Sequence, residues 1–188
     1  MQADSSWSQI EPSISSYETS PAACLDYDPR APHVAAHVAA IITLHLPNVI
    51  VEHVGSTAVP GCAGKGVIDL MLLYGDGRLE EAKSLLEALG FQPQVSRDPF
   101  PESRPMRVGE IESEGSMFRL HVHVIEMHSP EVSELRAFRD ALRADLEMAA
   151  DYVARKRQII ASGVTDTVDY SIEKGNFIQS RLVDSLNS

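Results

Sequence analysis

One carboxylate decides most of what this chain can be. Asp69 stands inside the apolar run Val67-Ile68-Asp69-Leu70-Met71-Leu72-Leu73, and a charged side chain is almost never fully buried unless it is paired. The acid therefore needs a lysine partner, a bound metal ion, or a place at a strand end facing a cleft. The residues before it supply the setting. Val49 to Val54 is a short apolar run that breaks at Gly55-Ser56, and Pro60, Gly61, Gly64 and Gly66 mark a loop before the chain turns apolar again at Val67. This punctuation predicts strand, turn, strand, with the acid in the second strand.

Around that stretch the 188 residues suit one domain with a sizeable core and are short for two. Residues 1–21 are polar and serine-rich and read as a flexible lead in which Trp7 is the one large anchor. Residues 22–188 read as the domain. Ala22 to Tyr27 is predicted to be an edge strand, and Asp28-Pro29 to open a helix with Asp28 as its cap. That helix carries Val34, Val38, Ile41, Ile42 and Leu46 inward, and His33, His37 and His45 along a solvated or half-buried face. A second helix spans Arg78 to Leu89 and closes at Gly90, where a left-handed cap is common. Phe91 to Val95, Met106 to Ile111 and Met117 to Ile125 read as strands, the last two joined at Glu114-Gly115. From Glu131 to about Ser162 the pattern is one long helix or two in succession, stopped by Gly163. A last helical segment, Thr165 to Leu186, lies back on the domain, with a possible interruption near Gly175.

Charge narrows the partners. With 27 acids against 16 lysines and arginines the formal net charge is −11, which opposes direct nucleic-acid binding or a grip on anionic membrane. A local pocket for a small anion such as a nucleotide remains compatible with that sign. Cys24 and Cys62 match no metal spacing and make no disulfide framework. There is no apolar stretch able to span a bilayer and no basic, then apolar, start, so the expected location is the cytoplasm.

Strand alternation picks out a second candidate element. In Arg119 to Val124, Leu120, Val122 and Val124 point one way, while Arg119, His121 and His123 point the other. Two imidazoles and a guanidinium on one face can converge on a phosphate or a metal, or form an exposed, titrating sheet face. Gly55-Ser56 can offer backbone N–H groups and a hydroxyl to phosphate. Lys65 lies in the loop between turn and acid, where it reaches a phosphate or pairs with Asp69. Tyr170 and Lys174, four apart, share one helix face, as a base-stacking ring beside a phosphate-binding amine or as a packed ring beside a solvated one.

A Gly-Ser turn followed a dozen residues later by an acid in an apolar strand resembles the polymerase-β-like nucleotidyltransferase superfamily. The wording His53-Val54-Gly55-Ser56-Thr57-Ala58-Val59-Pro60-Gly61, with Val67-Ile68-Asp69-Leu70 after it, is similar to the GrpB family. So are Leu135, Phe138, Arg139, Asp140, Leu142 and Arg143, then Tyr152 with Arg155, Lys156 and Arg157, and finally Tyr170, Lys174 and Phe177. The resemblance runs from about Ala22 to Leu182. It implies an α/β (α+β) fold: a small mixed β-sheet backed by helices, nucleotidyltransferase-like, with C-terminal helices. It also implies a metal-assisted, NTP-dependent nucleotidyltransferase acting on a small-molecule acceptor, with Mg2+ or another divalent metal and an NTP, ATP first among them. On that reading Gly55, Ser56, Lys65, Arg119, Tyr170 and Lys174 bind the nucleotide, and Asp69, His121 and His123 serve catalysis and metal. The resemblance also favours His53 over Glu52 as the residue facing the cleft. One departure counts against ordinary transfer. The superfamily places a second acid two residues after the first, where this chain has Met71, and methionine does not bind magnesium; replacement ligands would be His121, His123, Glu110 or Glu112. The alternatives are a nucleotide-binding or interaction module without turnover, and a metal-dependent hydrolase using Asp69, His121 and His123.

Overall fold

The computed structural model describes residues 10, 11 and 13–186. Helix α1 (Ala31–His45) is followed by β1 (Ile50–Val54), a short 3-10 turn (Ser56–Ala58), β2 (Val67–Tyr74), α2 (Leu79–Ala88) and β3 (Gln92–Pro93). Then come β4 (Met106–Ser113), β5 (Ser116–Glu126), and three helices: α3 (Pro130–Ala144), α4 (Leu146–Ala161) and α5 (Thr167–Leu186). The strands form one mixed sheet in the order β1-β2-β5-β4-β3. Only β2 and β5 run parallel, and they bring Asp69 level with His121 and Met71 level with His123.

The period of two along β2 and β5 sorts the residues. Ile68, Leu70 and Leu72 with Leu120, Val122 and Val124 face α1 and α2 and are essentially inaccessible. The opposite face is divided. Met71, Leu73, Ile125 and Val54 pack beneath Val132 of α3, while Asp69, His121 and His123 open onto a cleft. One face is thus pure core, and the chemistry sits where the second layer of helices stops covering the other.

Several local expectations need correction. Asp28-Pro29 does not open α1. Asp28 O accepts from Ala31 N–H at 3.1 Å and its carboxylate accepts from Arg30 N–H at 2.9 Å, so the pair builds a turn with Pro at its second position, and the first-turn proline is Pro32. Ala22 to Tyr27 is not a strand, because only Leu25 pairs, with Gly64. Phe91 to Val95 shrinks to two strand residues. Between Glu131 and Ser162 there are two helices. Asp145 leaves helical geometry and its carboxylate accepts from Glu147 and Met148 N–H, both at 2.9 Å, capping α4. The last helix runs through Gly175 without interruption.

The flexible lead is also corrected from Ile14 onward; Trp7 lies outside the described residues. Ile14 is 5% exposed, and its N–H donates to Leu89 O at 3.0 Å. Ser15 exchanges two backbone bonds with Glu110, at 2.9 and 3.0 Å. Two glycines make the room. A Cβ on Gly90 would lie 2.1 Å from Ile14 O, and one on Gly109 would lie 2.2 Å from Ile14 Cγ2. Gly90 is the glycine that follows α2, in the left-handed region at φ +102°. Gly90→Ala meets both a steric clash and a backbone penalty, so it should destabilise the chain by about 1–3 kcal/mol, read as a lower urea midpoint at unchanged slope.

Candidate active site

The site begins at the joint between β1 and β2, where Val54 pairs with Asp69 and the chain turns at Gly55. Gly55 has φ +72°, and a Cβ there would come within 2.5 Å of Asp69 Oδ2. The acid therefore sits directly against the backbone of the turn. That contact explains why the glycine and the acid occur together: the turn must be bare for the carboxylate to fit.

Asp69 takes its partners from β5. Its Oδ1 lies 3.4 Å from His121 Nδ1 and 3.7 Å from His123 Nε2. Burial alone would raise its pKa, but the two imidazoles outweigh that and hold the carboxyl well below the usual range. Lys65 is not the paired base. Its Nζ lies 5.5 Å from the centre of the Tyr170 ring, and burial, reinforced by nearby Lys174, lowers its pKa.

The two histidines are not equivalent. Arg104 Nη1 lies 3.0 Å from His123 Nδ1, and a guanidinium only donates, so Nδ1 accepts and Nε2 carries the hydrogen facing Asp69. Burial depresses the His123 pKa, in agreement with a neutral ring. Arg104 is itself held by Glu131 and stacks on Phe100 at 4.4 Å. His121 presents Nδ1 to Asp69 and Nε2 to the hydroxyl of Tyr17 at 3.4 Å.

Ser56 has a partner that its sequence position does not announce. Lys156 of α4, only 1% exposed, donates to Ser56 Oγ at 3.0 Å and to Ala63 O, and its Nζ stands 4.2 Å from the Tyr152 ring centre. Burial lowers its pKa. The available signal was the Tyr152–Lys156 spacing of four, which repeats that of Tyr170 and Lys174.

The other assigned residues divide. Gly55, Ser56, Lys65 and Lys174 line a small cavity of about 40 Å³. Asp69, Lys65 and Lys174 also line a larger cleft of about 460 Å³ with His121 and His123, within the usual size for a small-molecule site. Arg119 lines neither cavity: it donates to Lys65 O at 2.5 Å and to Ser20 Oγ, and it stands against the Tyr17 hydroxyl. Tyr170 is 1% exposed and packs with Ala22 and Ile159, and it lines the small cavity beside Lys65 and Lys174. The preference for His53 over Glu52 is overturned by register. Glu52 pairs with Met71 and shares the face of Asp69, where it binds Arg136 and Arg139, while His53 pairs with Leu70 and bonds Thr57 Oγ1 at 2.9 Å.

A resident metal centre of the two-carboxylate kind does not fit these side chains. The position for the second acid is Met71, fully buried in an apolar cluster. Glu112 pairs with Met117 at the hairpin end, and Glu110 lies opposite Arg119. Among the described residues no three His, Cys, Asp or Glu side chains are arranged to hold a metal ion.

The model of the GrpB family, described as GrpB protein, matches residues 21–183. The chain belongs to the GrpB family. It is 35% identical over 155 residues to a UPF0157 protein of Streptomyces coelicolor, covering 81% of this chain and 78% of that one. A UPF0157 protein of Halalkalibacterium halodurans is 30% identical over 158 residues, with 82% and 77% covered. Among solved structures, the conserved protein GrpB from Enterococcus faecalis superposes with TM-score 0.60 at 21% identity, covering 85% of this chain and 99% of that one. Cid1 in complex with its short product ApU gives TM-score 0.50 at 13% identity, covering 72% and 42%. This GrpB-family chain thus has a nucleotidyltransferase-like fold. No helix among its described residues is long and apolar enough to cross a membrane.

Burial, with Arg143 and Arg139 nearby, pushes the pKa of His53 down to about 4. Between about pH 6.5 and 4 the unfolded chain therefore binds a proton that the folded chain refuses, and stability falls as pH falls through that window. Urea midpoints measured from pH 7 to pH 4 should drop, and His53→Gln should flatten the drop.

Proposed function

We propose that this chain binds a nucleoside triphosphate, ATP first among candidates, at the Gly55-Ser56 turn and transfers its nucleotidyl group to a hydroxyl of a small molecule in the larger cleft. The observation that carries this reading is the junction of the two cavities, which share Asp69, Lys65 and Lys174. The small cavity is rimmed by amines, the larger one holds the carboxylate–imidazole cluster, and both meet at one acid.

The roles follow from chemistry. Gly55 and Ser56 offer backbone and hydroxyl donors, Lys65 and Lys174 line the same small space, and Lys156 stands behind Ser56. Two of these amines are disfavoured as cations by burial. An arriving phosphate would stabilise their charged forms, so the pocket gains its full charge as the ligand enters. Developing charge on the transferred group is met by donors already in place. Divalent metal belongs to this reading as the companion of the triphosphate substrate rather than as a resident of the protein. A nucleotide-binding module without turnover is the second reading, and the buried Met71 favours it.

Thermal unfolding against ATP, CTP, GTP and UTP, with and without magnesium, tests the first requirement. A ligand bound only by the folded state at about 100 times its dissociation constant adds roughly 2.7 kcal/mol, which for a domain of this size raises the midpoint by about 5–10 °C. Lys65→Ala should abolish the rise, and Asp69→Asn should abolish any magnesium-dependent part of it. A flat response from the unaltered chain to all four nucleotides sinks the proposal. Stabilisation with no pyrophosphate released across a panel of hydroxyl acceptors selects the second reading.

A further inference from the structure

The segment Ile14–Ser20 is held at both ends beside the cleft. Ile14 is seated against Gly90 and Gly109, and Ser15 is paired with Glu110. Ser20 accepts from Arg119. Between these anchors Tyr17 is half-buried. Its ring meets His121 edge-on, with centroids 5.7 Å apart and planes at 89°. Its hydroxyl lies 3.4 Å from Nε2, and with Thr19 it lines the larger cleft.

Hydrogen positions give this contact a direction. Asp69 is ionised and can only accept, so His121 places its hydrogen on Nδ1 and leaves Nε2 as an acceptor. The hydrogen between Nε2 and Tyr17 then comes from the phenol. Arg119 stands beside the phenol and donates a hydrogen bond to its oxygen, which leaves one lone pair for a ligand in the cleft. His123 offers no such path, because Arg104 occupies its outer nitrogen. Of the two imidazoles only His121 leads outward.

We propose that Tyr17 is a residue of the site: the outer member of a Tyr17–His121–Asp69 relay that receives the proton of a hydroxyl-bearing ligand seated in the larger cleft. This rests on the transfer reading above. The ligand O–H gives its proton to the phenolic oxygen while the phenolic proton passes to His121 Nε2, and the imidazolium formed stands against Asp69. The ligand oxygen bonds to the α-phosphorus, the bond from that phosphorus to the bridging oxygen breaks, and pyrophosphate leaves with the electron pair.

The test uses the ring nitrogens of the full chain, observed by nitrogen-15 NMR at pH 7.5 in the unaltered protein and in Tyr17→Phe, a change that keeps the packed ring. The unaltered chain should show His121 with hydrogen on Nδ1. Tyr17→Phe should move its Nε2 resonance toward that of a nitrogen without a hydrogen bond and leave both His123 nitrogens in place. Identical His121 spectra, or hydrogen on Nε2 in the unaltered chain, overturn the relay. Circular dichroism of both proteins separates this outcome from loss of fold. Because the readout needs no nucleotide, the two proposals fail separately. Nucleotide stabilisation without the His121 change removes the relay and spares the transfer reading, while the His121 change without nucleotide stabilisation does the reverse.

Discussion

The carboxylate of Asp69 resting on the bare backbone of Gly55 is the contact from which the site is built. It fixes where β1 must end, because any side chain at Gly55 would occupy the space of the acid. It also fixes what β5 must carry. A carboxylate withdrawn from water costs several kcal/mol unless donors replace its hydration, and the parallel register of β2 with β5 brings His121 beside it and His123 one pair further on. Turn, acid and imidazoles are therefore one unit spread over three elements.

Around this unit the local charge opposes the global one. The chain carries a net charge of −11, yet the space beside the Gly-Ser turn is bordered by Lys65 and Lys174, with Lys156 buried behind Ser56. Amines held below their usual pKa by burial gain from an arriving anion, and a local pocket can attract it even when the surface repels it. On the proposed reading, anion recognition rests on Lys156 of α4 and Lys174 of α5.

Much of the fold was legible because period and punctuation have direct physical causes. The alternation along Arg119 to Val124 separated core from cleft, and Gly90 marked the end of α2, since in both cases a local constraint sets the outcome. What was hidden depended on partners far along the chain. Arg119 read as an anion donor, but its guanidinium is taken by the Lys65 carbonyl and Ser20. Tyr170 read as either a stacking ring or a packed one, and only tertiary packing shows it buried. His53 and Glu52 were separable only through the register of β1 on β2, which places Glu52 with Met71. Ile14 and Tyr17 were read as part of a flexible lead, since a polar, serine-rich stretch gives no periodic signal of the two glycines, Gly90 and Gly109, that accommodate it.

The strap bears on the order in which the molecule assembles. Ser15 and Glu110 lie 95 positions apart, and the seat for Ile14 exists only once α2 has been capped and β4 has joined the sheet. Closing so long a loop before its contacts repay the lost entropy is slow, so the segment Ile14–Ser20 is among the last parts of the domain to find its place. The cleft then acquires its Tyr17 wall as a late event in folding. A change in that segment would act on the site itself, although it lies far from Asp69 in sequence.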